Sequence, residues 1–399
     1  MQWSNRAMSS WLIENTSVEV KNVQENYKPI GDYIRVVNLK NRDLAVKQLI
    51  GLSIDKCYIP SVANVIGTDL STYKIIKRNQ FACSLMQVSR DEKIPIACMM
   101  EYDEAIMSPA YVIFEIIDES ALMPEYLNMW VMRAEFDREA SFLAVGGVRG
   151  SLAWDDFCRM KLPVPSIDEQ RKIVKAYQTI TDRIKLKKQI NDNLEAQLRA
   201  YFAHFISDDE FSHLGKLKDV CSMQYGYTET ATLDNVGPKF LRITDIAQSY
   251  IDWNTVPYCK ISDQDYNKYV LREGDVVVAR TGATVGASKM MYGRIPDSVF
   301  ASFLVRIKPL DEEYKYYFGL AITSSDFLDF VQTNAGGSAQ PQANPPLLGE
   351  YELPIPSKGR LKDFNSVVLN FLATMETNEI EISKLKDLQK TLLYTMSRR

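Results

Sequence analysis

The chain has 399 residues, 46% of them hydrophobic and 25% charged, enough to bury the cores of two or three ordinary globular domains. Its 47 Lys and Arg against 51 Asp and Glu leave a net charge of −4, so no overall basic excess points to nucleic acid. A locally basic face on an acidic protein remains compatible with that balance. With only His204 and His213, and six scattered cysteines without a C-x-x-C, the sequence argues against histidine-based catalysis, a zinc ribbon and a disulfide framework. No apolar run nears the roughly 20 residues of a membrane span, and Met1-Gln-Trp-Ser-Asn-Arg6 lacks a signal-peptide core, so a cytoplasmic protein is expected.

In chain order, short strand-like runs come first: Tyr33 to Leu39, Phe81 to Val88, Ile94 to Met100 and Tyr111 to Ile117, separated by turn residues. Pro124 to Phe136 reads as a helix. Gly146-Gly147 and then Leu162-Pro-Val-Pro165 close this part. From Asp168 to about Ser207 the pattern predicts one long helix, with Ser166 as its cap and Glu169 completing a capping box. Its seam alternates three and four apart through Ile173, Tyr177, Ile180, Ile184, Lys187, Asn191, Leu194, Leu198, Tyr201 and Phe205.

The texture then repeats. Phe240 to Ile246, Asp275 to Arg280, Ala287 to Tyr292 and Ser302 to Lys308 read as strands, and Glu313 to Val331 as a helix. Gly336-Gly337 and Leu353-Pro-Ile-Pro356 follow, 190 and 191 residues after their first-half counterparts. A second amphipathic helix carries the seam Phe364, Val368, Phe371, Met375, Asn378, Ile382, Leu385, Leu392 and Met396. A shift of 191 sets Phe364 on Ile173, Phe371 on Ile180, Leu385 on Leu194 and Asn378 on Lys187, so both seams have a polar break near the middle. Such a break costs stability and fixes register. The expected fold is α+β: two similar β-rich domains and two long helices packed as an antiparallel coiled coil, an internal pseudo-two-fold repeat. The boundaries are 1–160 and 208–356 for the domains, 161–207 and 357–399 for the spacer helices. A 40-residue helix is ~60 Å long, against ~34 Å for one DNA turn, which implies a ruler with a reader at each end.

Enzyme-like strings are weak. Asn344-Pro345-Pro346-Leu347 resembles an amino-methyltransferase signature, but leucine cannot stack on a base and no glycine-rich cofactor loop precedes it. Pro296-Asp297 with Glu313-Tyr-Lys315 fits a nuclease pattern that the first half does not carry. Gly282-Ala-Thr-Val-Gly286 departs from the phosphate-loop spacing. No catalytic or metal residue is assigned. Residues suited to DNA are Arg35 and Arg242, which occupy matched positions in the repeat, with Lys77, Arg78, Arg280, Thr281, Gly282 and Lys289. The loop tips Arg149 and Gln340, the latter beside Gly336 and Gly337, carry side chains able to read base edges. For each of these, an exposed charge or a bare turn is the competing reading.

Val276-Val-Val-Ala-Arg-Thr-Gly-Ala-Thr-Val-Gly286, Gly336-Gly337, Gln340, Leu353-Pro-Ile-Pro356 and Leu162-Pro-Val-Pro-Ser-Ile-Asp-Glu-Gln-Arg171, in that arrangement, carry a resemblance. The chain resembles the specificity subunit of type I restriction-modification systems over nearly its whole length. The resemblance implies a non-catalytic subunit whose two target-recognition domains each read part of a split duplex DNA sequence. It also implies a coiled coil that docks methyltransferase subunits, expected to be two, and through them restriction subunits. S-adenosylmethionine, ATP and Mg would sit on those partners and no cofactor on this chain. The second helix departs from the pattern by opening at Ser357-Lys-Gly-Arg360 without a Glu-Gln pair, and the first half has Ala82-Cys-Ser-Leu-Met86 in place of the Ala-Arg-x-Gly loop. The alternatives are a specificity module serving a methyltransferase or nuclease outside such a complex, and a two-domain protein-binding scaffold.

Overall fold

The computed structural model describes residues 27–61, 67–145, 150–207, 211–335 and 342–396. Gly146, Gly147, Arg149, Gly336, Gly337 and Gln340 lie outside the described residues. The chain divides into two compact units, residues 1–181 with 387–399, and residues 182–386. Each long helix therefore contributes to both units, whereas the sequence reading set the helices apart as spacers.

The first unit holds β1 (Tyr27–Pro29), β2 (Ile34–Val37), β3 (Ile50–Leu52), β4 (Tyr58–Pro60), β5 (Lys74–Lys77), β6 (Phe81–Cys83), α1 (Val88–Asp91), β7 (Ile96–Cys98), β8 (Glu104–Met107), β9 (Val112–Ile116), α2 (Pro124–Val131), α3 (Ala134–Leu143), α4 (Trp154–Arg159) and β10 (Lys161–Pro163). Its centre is an antiparallel sheet of order β2-β9-β6-β7, with β1 paired to β10, β3 to β4 and β5 to β8. Alternation along the strands feeds two cores. Phe81, Cys83, Cys98 and Phe114 face one, while Ala82, Ala97 and Ile113 face the other. The helix predicted over Pro124 to Phe136 is two helices, because the chain breaks from helical geometry at Arg133, whose backbone is extended.

After α5 (Ile167–Ser207) the second unit holds β11 (Phe211–Lys216), α6 (Leu217–Val220), β12 (Cys221–Tyr225), β13 (Lys239–Leu241), α7 (Ile243–Ile246), α8 (Asp263–Tyr269), β14 (Val276–Ala279), β15 (Ser288–Met290), β16 (Ser298–Phe300), β17 (Leu304–Pro309), α9 (Lys315–Ile322), α10 (Ser325–Asn334), α11 (Pro345–Gly349), β18 (Glu352–Pro356) and then α12 (Lys358–Thr395). Its sheet has the order β12-β17-β14-β15, and β11 pairs with β18. Strand for strand this is the order of the first unit. The duplication also reaches single hydrogen bonds: Leu152 N–H donates to Leu85 O, and Ala343 N–H to Arg280 O, both at 2.9 Å.

That topology corrects one equivalence. β2, which holds Arg35, corresponds to β12, whereas the run at Phe240 forms β13, paired in parallel with β16 outside the four-stranded sheet. The predicted strand from Phe240 to Ile246 stops at Leu241, because Arg242 caps α7. The Asp245 carboxylate accepts from the Arg242 backbone N–H at 2.8 Å and from its guanidinium at 3.0 and 2.9 Å. Arg35 and Arg242 are not counterparts. The predicted helix over Glu313 to Val331 is likewise split, by Ser324, whose hydroxyl caps α10 through Phe327 N–H.

α5 and α12 are 41 and 38 residues long. In the second unit they pair antiparallel. Phe364 sits 4.4 Å from the Phe205 ring and 5.7 Å from Tyr201, while Val368 and Leu372 are buried beside them. At the polar break Lys187 Nζ donates to Asn378 Oδ1 (2.9 Å), Asn378 Nδ2 to Asn191 Oδ1 (2.7 Å), and Asn191 Nδ2 to Met375 O (3.1 Å). Asn191 and Asn378 are buried, and the chain of bonds satisfies both amides, which removes most of the cost of burying them. In the first unit Ile173, Val174, Tyr177, Leu392 and Met396 share one core, and Gln389 Nε2 donates to Thr181 Oγ1 at 2.7 Å.

Candidate nucleic-acid interface

The strongest assembly of the sequence-derived residues is at one end of the second sheet. β14 ends at Ala279, and Arg280-Thr-Gly282 turns away from it. Gly282 has φ +81°, a left-handed conformation that glycine adopts without strain, and nothing lies within 4 Å of where its Cβ would be. The backbone there is exposed and open to close approach. Thr281 forms an antiparallel bridge with Gln342, and Arg280 N–H donates to Phe303 O at 3.0 Å. The Arg280 guanidinium lies 4.7 Å from the centre of the Tyr225 ring and donates through one terminal nitrogen to Ser302 O at 3.3 Å.

Electrostatics separate the cationic candidates. Arg35 in β2 lies opposite Glu115 of β9 and binds its carboxylate at 2.6 Å. Arg78 pairs with Asp103 at 2.9 Å and donates to Met100 O at 2.6 Å. The hydrogen bonds it donates to Asp245 hold Arg242 more firmly protonated than a free arginine. Lys289 is half-buried, donating to Ser249 O at 2.5 Å, and burial pushes its ammonium below the usual lysine range. Lys77 ends β5 with an exposed side chain. Arg280 has no carboxylate partner among the described residues, and its Nε lacks a hydrogen-bond acceptor there. Among the described residues its charge is the least compensated of the predicted arginines, which suits it to phosphate or a base edge.

Sequence reasoning missed the aromatic flank. Tyr225, whose ring faces the Arg280 guanidinium, and Phe303, whose carbonyl accepts from Arg280 N–H, are 42% and 58% exposed. The signal was legible only after folding, because these residues are 78 apart and reach the same end of the sheet through the β12–β17 register, Tyr225 lying opposite Val305. Gln170, which follows Glu169 at the opening of α5, has a role that its motif alone does not reveal. It is fully buried, accepting from Met123 N–H at 2.9 Å and donating to Ala121 O and Pro165 O, each at 2.9 Å.

The enzyme-like strings resolve into structure. Asn344 caps α11, its side chain accepting from Leu347 N–H at 3.0 Å, with the prolines in the first turn where no donor is needed. Asp297 accepts from the Tyr266 hydroxyl at 3.3 Å, and Glu313 pairs with Lys358 at 3.2 Å. Among the described residues no cluster of three His, Cys, Asp or Glu is placed to hold a metal ion, and no helix is long and apolar enough to cross a membrane.

Residues 110–196, from just before β9 well into α5, match the type I restriction modification DNA specificity domain. Among curated proteins, the type I restriction enzyme MjaVIII specificity subunit of Methanocaldococcus jannaschii is 25% identical over 266 residues, 58% of this chain and 60% of that protein. The chain thus spans about 60% of the length of the curated relative it matches. The crystal structure of a type I restriction-modification S subunit from M. genitalium shares the fold, with TM-score 0.51 and 13% identity over 94% of this chain and 98% of that one. Over residues 110–196 the chain is thus similar to the type I restriction modification DNA specificity domain, and its duplicated sheets and paired helices share the fold of a solved S subunit.

Proposed function

We propose that this chain reads a bipartite sequence in duplex DNA, one part through each unit, and presents it to methyltransferase subunits docked on α5 and α12. Restriction subunits would join through that assembly, and S-adenosylmethionine, ATP and Mg would be bound by the partner chains. This chain supplies recognition and no chemistry, in a cytoplasmic complex. The observation that carries the reading is the duplication itself: two sheets of identical strand order, each followed by one long helix of the pair. A single reader needs no such second copy, whereas a split target does.

Phosphate contacts would position the duplex and base-edge contacts would specify it. The test is sequencing that detects methylated bases in DNA from cells with and without the chain, its methyltransferase partner present in both. The reading expects methylation confined to one split motif and dependent on the chain. Exchanging residues 27–145 for the equivalent segment of another specificity subunit should change one part of that motif. A change in both parts, or methylation that ignores the chain, would sink the proposal.

A further inference from the structure

The exposed rings beside Arg280 form a contact surface that the loop alone does not explain. Gly226 follows Tyr225, and a Cβ on it would stand 2.1 Å from Ala301 O, so only glycine lets β12 end against the turn that carries Phe303. Gly226 N–H donates to Leu304 O at 3.1 Å, and Tyr227 N–H to Phe300 O at 2.8 Å, which pin the two segments together. The backbone beneath the two side chains is therefore fixed, yet neither ring belongs to a core: Phe300 and Leu304 are fully buried on either side of Phe303. Two exposed aromatic rings cost solvation, which the Tyr225 ring offsets in part on the Arg280 guanidinium.

Resting on the DNA-reading function above, we infer that Tyr225 and Phe303 are specificity-determining residues of the second unit, meeting base edges of duplex DNA while Arg280 holds the adjacent phosphate. The Arg280 guanidinium, without a carboxylate partner among the described residues, suits a polyanion better than a protein face. Apolar contact to the thymine methyl is the interaction the major groove offers to such rings. Strand register makes Asn38, Leu85 and Ala110 the first-unit counterparts of Tyr225, Arg280 and Phe303, so the first unit has neither ring nor arginine there. Only one part of the target is read this way.

The experiment is methylation mapping of host genomic DNA with the assembled complex carrying Tyr225→Ala, Phe303→Ala or both. Co-purification of the methyltransferase partner establishes assembly in each case. In the double variant, discrimination should fall about tenfold at one or two base pairs of a single motif part, with the other part unchanged. Phe303→Leu should relax the same positions less, and Tyr225→Phe should keep the parental motif. An unchanged motif in the double variant overturns the inference, as does equal relaxation of both parts in an assembled complex. If the parental chain directs no motif at all, the DNA-reading function itself fails, a result distinct from either.

Discussion

Where the first unit buries Gln170 the second buries Leu361, and where the second unit carries the exposed Tyr225 and Phe303 and the half-buried Arg280 the first has Asn38, Leu85 and Ala110. Around those differences the four-stranded sheets keep the same strand order, and matched backbone hydrogen bonds join Leu152 to Leu85 and Ala343 to Arg280. The two copies keep what a four-stranded sheet needs, namely apolar residues alternating toward two cores, and differ where side chains leave it. Under the proposed DNA-reading function the two copies should vary at their tips, because identical tips would read identical bases.

The largest test concerns the aromatic packing of the second unit. Phe364 contacts Phe205, Tyr201, Phe202 and Tyr317, with centroid distances from 4.4 to 6.3 Å, whereas its first-unit counterpart is Ile173. Phe364→Ala should cost about 4 kcal/mol, transfer and cavity terms together. Ile173→Ala should cost about 2–3 kcal/mol, since fewer atoms are removed. Hydrogen exchange resolved by segment is the measurement, because a two-unit chain need not unfold in one step. Protection lost equally from both units after Phe364→Ala would mean that the units do not fold as separate cores.

Gln170 sharpens the comparison next. Gln170→Leu imports the second unit's solution into the first, but leaves Met123 N–H and the carbonyls of Ala121 and Pro165 without their partner. An unsatisfied buried group costs ~1–3 kcal/mol, so a loss of about 2–3 kcal/mol is expected, read from denaturant midpoints. Leu361→Gln, buried at 1% exposure among Phe364 and Val368, should cost about as much for the opposite reason. A neutral outcome for either exchange would show that the helix entry is looser than its hydrogen bonds indicate.

These contrasts also mark what the sequence could reveal. The long helices and their seams were legible because periodicity is local, and every predicted seam position from Ile173 to Phe205 is buried or half-buried. Lys187 and Asn378 were recognisable as paired polar breaks, and they do meet. The Arg35–Arg242 match was misleading because similar strings, Ile-Arg-Val and Leu-Arg-Ile, serve a sheet strand in one place and a helix cap in the other. What distinguishes them is Asp245, three residues on, whose carboxylate closes the cap. The Tyr225–Arg280–Phe303 cluster needed strand register, which depends on contacts far apart in the chain. Arg35 and Arg78 looked available in sequence, and only folding supplies Glu115 and Asp103 as their partners.

A pH test probes where α12 meets the second sheet. Burial pushes the Glu379 carboxyl up to about 7, beside Lys289, Glu376 and Glu195, and the Tyr292 hydroxyl donates to it. A folded state that holds the proton more tightly than the unfolded chain is favoured at low pH. This contribution is therefore complete below the ordinary glutamate range and is lost as pH rises toward about 7. The second unit should lose on the order of 2 kcal/mol across that interval. Glu379→Gln keeps an uncharged side chain of the same shape and should flatten the dependence. Thermal melts at pH 5 and pH 8, followed through second-unit amides, measure it, and an unaltered slope in the variant would assign the titration elsewhere.

The smallest expected effect separates two arginines. Arg35 sits at 2.6 Å from a carboxylate in the first unit, and Arg280 in the second has a ring and a carbonyl for company. An exposed ion pair of Arg35's kind contributes at most ~1 kcal/mol to stability, and its charge is already compensated toward any phosphate. Arg280→Ala should weaken binding of the assembled complex to its target by about tenfold and lower the slope of log affinity against log salt by ~1. Arg35→Ala should change either quantity far less. Titrations at several salt concentrations on one target duplex measure both. If the two substitutions proved equal, compensation by nearby carboxylates would not govern which cations meet DNA, and the second unit's loop would lose its claim over the first unit's strand.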